Sequence, residues 1–287
     1  MSSIPVAIIG GSGVYQFPGL QESEEVDIDT PYGKPSDKIL TGSLGKIRLA
    51  FLPRHGRHHS IAPSVLPYRA NIYALKSLGV RWIISLSAVG SLHEKYKPRD
   101  FLIPLQFFDR TKNTQHHSFF ERGIVAHASF GDPICNRLAS VLFQSASAAG
   151  ANCHWGGTYV NMEGPVFSTR AESEFHRKMN FDVIGMTNLA EAKLAREAEI
   201  SYATVAMITD YDCWHESVKE VTVDDVVAVL KDNAELATET VRRCIGALNL
   251  SETTPCHNAL ATAFATPKEF WPKEQVLKLG PLIEKYI

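Results

Sequence analysis

Short apolar runs alternate with helix-periodic segments along most of this chain, and almost every unusual polar cluster follows directly on one of those runs. This alternation predicts an α/β sheet rather than a β-sandwich. Strands are expected over Val6–Ile9, Arg48–Leu52, Trp82–Leu86, Phe101–Pro104, Thr158–Met162, Val183–Met186 and Tyr202–Ile208. Helices are expected over Tyr68–Leu78, Pro133–Ala149, Ala171–Met179, Ala190–Glu197 and Val223–Leu248. In the last of these Val223, Val226, Val227, Leu230, Val241, Ile245 and Leu248 fall mostly on one face. Thr169 with Glu172, and Thr222 with Asp225, read as capping-box-like starts. No internal repeat or low-complexity linker divides the chain, so one domain spanning residues 1–287 is expected. Periodicity weakens after Ser251, and that stretch is read as a C-terminal extension with short helices over Cys256–Thr266 and Glu274–Tyr286.

Composition narrows the function classes. The 287 residues are 45% hydrophobic and 21% charged, an ordinary globular balance that leaves no room for a fibrous or disordered chain. A formal net charge of -2 without a basic tail argues against general nucleic-acid binding. No apolar run reaches the roughly 20 residues a bilayer span needs. The N-terminus enters an apolar run almost at once and shows no signal-peptide pattern, so a cytoplasmic address is expected. The five cysteines are scattered, odd in number and without a CxxC pair, and are expected to be reduced.

The clusters after the strands carry the chemistry. Gly10-Gly11-Ser12-Gly13, Arg54-His55-Gly56, Ser87-Ala88-Val89-Gly90, Thr187-Asn188 and Thr209-Asp210-Tyr211-Asp212 all fall at strand ends. In α/β sheets ligands bind outside the carboxyl ends of strands, so these groups are expected to form one composite site. The glycine loop lacks the last glycine of a dinucleotide fingerprint, and no GxxxxGK[ST] exists. A dehydrogenase or ATP-type cradle is therefore disfavoured; the loop is either a tight turn or an anion cradle. Arg54 offers a fixed cationic fork and His55 a second donor for a phosphate dianion, with hydroxyls from Ser12, Ser87 and Thr187. Three histidines lie together (His55, His58, His59), but no cysteine or carboxylate cluster accompanies them to make a zinc site. Asp210 and Asp212 supply the opposite chemistry. Buried carboxylates need donors, and a 6-aminopurine presents its amino N–H and, once protonated, N7–H. A 6-oxopurine would present an acceptor instead.

Together with the loops at Thr30–Ser36, Arg54–Arg57 and Glu163–Glu172 and the run Thr209–Trp214, these motifs resemble the S-methyl-5'-thioadenosine phosphorylases. That group is the trimeric branch of the purine nucleoside phosphorylase family. The resemblance runs from about Val6 to about Leu250. It implies an α/β, single-domain, three-layer fold with a twisted mixed central sheet flanked by helices, and a homotrimer. It also implies phosphate binding by Ser12, Arg54, His55, Ser87, Ala88 and Thr187, with Met186 against the ribose and Phe167 against the purine. Asp210 and Asp212 would read the base, with Tyr211 between them and Asp210 as the catalytic acid. Ser168 and Val223 fall at specificity positions. Val223 and Val226 would line an apolar pocket for the 5'-methylthio group, with His127 from a neighbouring subunit; the valines also fit simple helix core. Ser12 replaces a frequent Thr, Val89 stands where relatives can carry Cys, and Gly185 where they can carry Asn.

The implied reaction is reversible phosphorolysis of S-methyl-5'-thioadenosine to adenine and 5-methylthioribose 1-phosphate. Phosphate is the co-substrate, and neither metal nor organic cofactor is implied. Asp210 would act either as a protonated acid or on an N7-bound hydrogen. Rival readings are a phosphorylase acting on adenosine, methylthioinosine or 6-oxopurine nucleosides, and a non-catalytic nucleoside-binding protein. Members acting on inosine and guanosine typically carry Asn at the position of Asp210.

Overall fold

The computed structural model describes residues 3–11, 17–114, 116–215 and 222–287, without the side chains of 223–225. Ser12 and the side chains of Val223 and Asp225 therefore lie outside the described part. The strands are β1 (Val6–Gly10), β2 (Gln21–Val26), β3 (Ile39–Leu44), β4 (Ile47–Pro53), β5 (Trp82–Ser91), β6 (Phe101–Ile103), β7 (Gln106–Arg110), β8 (Cys153–Trp155), β9 (Thr158–Met162), β10 (Val183–Gly185) and β11 (Ser201–Asp210). The helices are α1 (Tyr68–Ser77), α2 (Asn136–Ala148), α3 (Arg170–Lys178), α4 (Asn188–Glu197), α5 (Val223–Ala247) and α6 (Lys273–Leu279).

The strands form one mixed sheet. Its middle, β1, β5 and β11, is parallel and almost wholly buried. Uninterrupted apolar runs such as Val6–Ile9 suit that place, because helices cover both faces of a parallel sheet. Helix α1 packs on α4 and α2 packs on α5, and α2, α4 and α5 all rest on β11. The Thr169–Glu172 capping box at the start of α3 is complete: the Thr169 side chain accepts from the Glu172 N–H, and Glu172 reaches back to the Thr169 N–H.

One irregularity of the sheet positions the site. Strand β5 runs along β11 from Trp82 to Gly90 on one side. On its other side it pairs with β1 over Trp82–Ser85 and then with β10 only at Gly90 and Ser91. Between these contacts β1 and β10 part, and Leu86–Val89 face the gap without a ladder partner on that side. Backbone groups at such a gap need other partners. One is supplied by Arg54, whose Nη1 donates to the Leu86 carbonyl at 3.0 Å.

The structure adds β2, β3, β7 and β8 to the expected strands and extends β5 to Ser91. Strand β2 is polar and exposed at the sheet edge, so it has no alternation to betray it. The C-terminal stretch is less helical than expected. Only Lys273–Leu279 is α-helix; 255–258 and 280–286 hold short 3₁₀ turns. This stretch folds back on the sheet domain: Arg81 donates to the carbonyls of Leu250 and Glu252, Lys285 pairs with Glu199 at 2.6 Å, and Ala126 bridges to Phe264. Among the described residues no helix is long and apolar enough to cross a membrane.

Candidate active site

A cavity of about 540 Å³ opens at the gap beside β5. That is the size range of small-molecule sites. Four strand-end clusters meet in it: Arg54 and His55 after β4, Ser87–Gly90 within β5, Met186 and Thr187 after β10, and Thr209, Asp210 and Asp212 at the end of β11. Phe167 and Pro165 come from the loop before α3, and Val226 from α5. Phe167 is 44% exposed and Val226 half-buried, so both sit toward the mouth rather than the floor.

At one end Arg54 is 1% exposed and bound to Glu191 of α4. Its Nε donates to Glu191 Oε1 at 2.5 Å and its Nη2 to Oε2 at 3.1 Å. Nη2 also donates to Ser85 Oγ at 2.6 Å. Burial opposes the guanidinium charge, and the Glu191 carboxylate more than offsets it, so the Arg54 pKa rises. Asn188, Ser85 and Tyr202 complete the network: Tyr202 OH donates to Glu191 Oε2 at 2.8 Å, and Asn188 Nδ2 donates to Ser85 Oγ and Tyr202 OH. The expected cationic fork therefore faces Glu191, not the cavity. What Arg54 can still offer a ligand is its second Nη1 hydrogen. A Cβ on Gly11 would stand 2.7 Å from that Nη1 and 2.5 Å from the Leu86 carbonyl oxygen, so the glycine there is a matter of close approach.

His55 also departs from expectation. Its Nδ1 lies 2.8 Å from the Ile61 carbonyl, which can only accept, so Nδ1 carries the proton. Burial, and then the Arg54 charge, push its pKa down to about 3. The ring is neutral at physiological pH and its Nε2 is an acceptor rather than a second donor. His59 stacks on it with centroids 4.2 Å apart. Thr187 is the N-cap of α4, yet its hydroxyl makes no capping bond. The cavity thus meets a helix N-terminus, where partial positive charge favours anions. Asn161 fixes this turn by donating to the Met186 carbonyl and accepting from the Leu189 N–H.

At the other end a β-bulge between Ile208 and Asp210 re-aims the end of β11. Both Asp210 oxygens accept hydrogen bonds, from Thr209 Oγ1 and from the Asp212 N–H, each at 2.7 Å. Asp212 is 5% exposed and holds a left-handed φ of 53°; its Oδ2 is shielded from solvent, and the Ser173 and Ser168 hydroxyls beside its carboxyl offset part of the burial. Burial raises its pKa. Gly90 makes room for the pair, since a Cβ there would sit 2.9 Å from Asp210 Oδ1.

Some expected residues are not brought to the cavity. Tyr211 turns away and stacks on His215 at 4.6 Å, because the bulge points residues 210 and 212, not 211, inward. Ser168 lies beneath the wall with its hydroxyl on Met162 Sδ at 3.7 Å. His127 is exposed and away from this chain's cavity, its N–H donating to the Ala263 carbonyl. Conversely, Glu191, Ser85 and Tyr202 escaped the sequence reading, as did the lining residues Met162 and Ile184.

A cavity with a cation, hydroxyls and a helix N-terminus at one end, and two carboxylates at the other, defines a protein that takes an anion and a donor-rich heterocycle together. The chain belongs to the phosphorylase superfamily, whose family model matches residues 5–246, and within it to the S-methyl-5'-thioadenosine phosphorylases. It is 53% identical to the S-methyl-5'-thioadenosine phosphorylase of Koribacter versatilis over 98% of this chain and 96% of that one. It is 50% identical to that of Chloroflexus aurantiacus over 100% and 99%. A methylthioadenosine phosphorylase crystal structure from an antarctic soil metagenomic library superposes with a TM-score of 0.93, at 47% identity, covering 98% and 99%. The S12T mutant of the Schistosoma mansoni adenosine/methylthioadenosine phosphorylase in complex with methylthioadenosine superposes at 0.82, with 33% identity, covering 90% and 96%.

Proposed function

We propose that this chain catalyses the reversible phosphorolysis of S-methyl-5'-thioadenosine to adenine and 5-methylthioribose 1-phosphate. The observation that carries the reading is the polarity of the cavity, with anion-binding groups at one end and the carboxylates Asp210 and Asp212 at the other. Relatives with this activity in their names at about 50% identity support it.

In the reaction the C1'–N9 bond breaks and a C1'–O bond to phosphate forms. The proton of hydrogen phosphate is balanced by the one that adenine gains. Arg54 Nη1, the α4 N-terminus and the hydroxyls of Ser87 and Thr187, with Ser12, hold phosphate on one face of C1'. Neutral His55 suits the P–OH of hydrogen phosphate, because Nε2 accepts. Asp210, with each oxygen already accepting one bond, fits best as the acceptor for an N7-bound hydrogen as adenine leaves. Asp212, which also lines the cavity, is the carboxylate for the 6-amino group. Met186 and Phe167 would pack on ribose and base, and Val226, with Val223, on the methylthio group. Positioning and fixed dipoles supply most of the rate. Phosphate is the co-substrate, and the reaction so written calls on no metal or organic cofactor. The same reading makes the chain one phosphorylase domain with an extension from about residue 251. It acts in the cytoplasm in purine and methionine salvage, as a homotrimer to which His127 of a neighbouring subunit contributes.

The test is base release from S-methyl-5'-thioadenosine, adenosine and inosine. The methylthio nucleoside is expected to give the highest kcat/KM, with inosine lower by about two orders of magnitude, since a site built for a donor leaves groups unpaired against an acceptor. Inosine as the best substrate would overturn the reading.

A further inference from the structure

Tyr159 is a buried titratable group that the reaction above does not use. It lies on β9, fully buried, with its phenol beneath the cavity wall. Two observations place its oxygen. The phenol stands 3.3 Å from Ser87 Oγ. A Cβ on Gly185 would stand only 1.9 Å from it, so the phenol occupies the space that any side chain at 185 would fill. Gly185, Ser87 and Thr187 all line the cavity. Burial pushes the phenol pKa up to about 12, so it keeps its proton at neutral pH.

These contacts have one consistent direction. Ser87 directs its own single proton at the Ala88 carbonyl, so its oxygen can accept from the phenol. The phenol proton is then directed to Ser87 Oγ. The single proton of Ser87 is left for another acceptor; in this structure it is 3.4 Å from the Ala88 carbonyl, a long bond that a phosphate oxygen would readily replace.

Given the phosphorolysis reading on which this rests, we propose that Tyr159, admitted by the missing side chain of Gly185, is a positioning residue that turns the Ser87 hydroxyl toward phosphate. The string from Tyr159 OH through Ser87 OH ties a buried phenol to a phosphate-side hydroxyl. Each link polarises the next. Gly185 and Tyr159 are therefore a matched pair: the first is small because the second occupies its place.

Tyr159→Phe deletes only the phenol oxygen and leaves the ring in the core. Two measurements on the full chain separate the outcomes. In steady-state assays the KM for phosphate is expected to rise about tenfold, roughly the loss of one hydrogen bond to a charged ligand. The KM for the nucleoside should stay within twofold, a split that a general loosening of the core would not give. In thermal unfolding, inorganic phosphate alone should stabilise the wild-type protein and shift Tyr159→Phe much less. Gly185→Ala, which pushes on the phenol from the cavity side, should reproduce the phosphate-selective defect. If phosphate shifts both proteins equally, or if the two KM values rise together, the positioning role is wrong. Wild-type protein that phosphate neither stabilises nor serves as co-substrate would instead overturn the functional reading itself.

Discussion

At one end of the cavity a buried cation is paired with a carboxylate; at the other, two carboxylates stand together with no cation beside them. Arg54 and Glu191 meet through two hydrogen bonds inside a network that also engages Ser85, Asn188 and Tyr202, all with almost no exposure. Asp212, equally buried, has only hydroxyls and a backbone N–H beside its carboxyl, in a left-handed backbone conformation. The contrast reflects what each end must do. Phosphate carries its own charge and solvation, so the protein presents a rigid, nearly neutral frame with a few aimed hydrogens and a helix dipole. The base is neutral and is recognised only by donors that meet acceptors, so carboxylates are kept at that end without a counter-charge. Burying them so costs stability, and a ligand amino group recovers part of that cost.

The comparison breaks most sharply at Glu191. Glu191→Gln leaves a buried guanidinium without its counter-charge, which typically costs about 3–5 kcal/mol. Chemical denaturation should show a loss of that size, with phosphate affinity weakened as Arg54 moves. A loss under about 1 kcal/mol would mean that the pair does not hold the phosphate end together.

The next effect is one of pH. The His55 pKa is about 3 in the fold and about 6.5 when unfolded. The unfolded chain therefore binds the extra proton first as pH falls. Stability from this group is intact above pH 6.5 and declines from there down to about 3, by at most about 1.4 kcal/mol per pH unit. His55→Gln, which can still donate to the Ile61 carbonyl, should lose less stability than wild type between pH 6.5 and 5, and run parallel to it above 7. Parallel curves throughout would mean that His55 protonates as readily in the fold as in the unfolded chain.

Asp212→Asn should move stability in the opposite direction to Glu191→Gln. Asparagine tolerates the left-handed φ and removes a buried charge whose pKa is raised by burial. A gain of about 1 kcal/mol is expected, with kcat/KM for the methylthio nucleoside down about tenfold. A loss of stability would show that the carboxylate is compensated without ligand.

The two ends also differed in how far the sequence revealed them. Arg54, Ser87, Thr187, Asp210 and Asp212 could be found because each follows or ends an apolar run, and strand ends in such sheets converge. Alternation within a strand-end loop even hinted that 210 and 212 act together. It did not show that the bulge turns Tyr211 outward. Glu191 was not legible, since its partner is 137 residues away and a lone acid in an apolar helix has no local signature. The same holds for Tyr159 and Gly185. A glycine where relatives can carry Asn reads as a minor departure until the phenol is seen filling its place. Strands β2 and β8 were missed for a different reason: one is polar at the sheet edge and the other is three residues long, so pairing rather than pattern defines them.

The central claim is that the anion end delivers phosphate to the carbon from which the base departs. It is tested most directly by ³¹P NMR of the protein with S-methyl-5'-thioadenosine and inorganic phosphate. The inorganic phosphate resonance is expected to shrink as one sugar 1-phosphate ester grows, equimolar with released adenine. Adenine appearing with an unchanged phosphate resonance, the mark of hydrolysis, would contradict it.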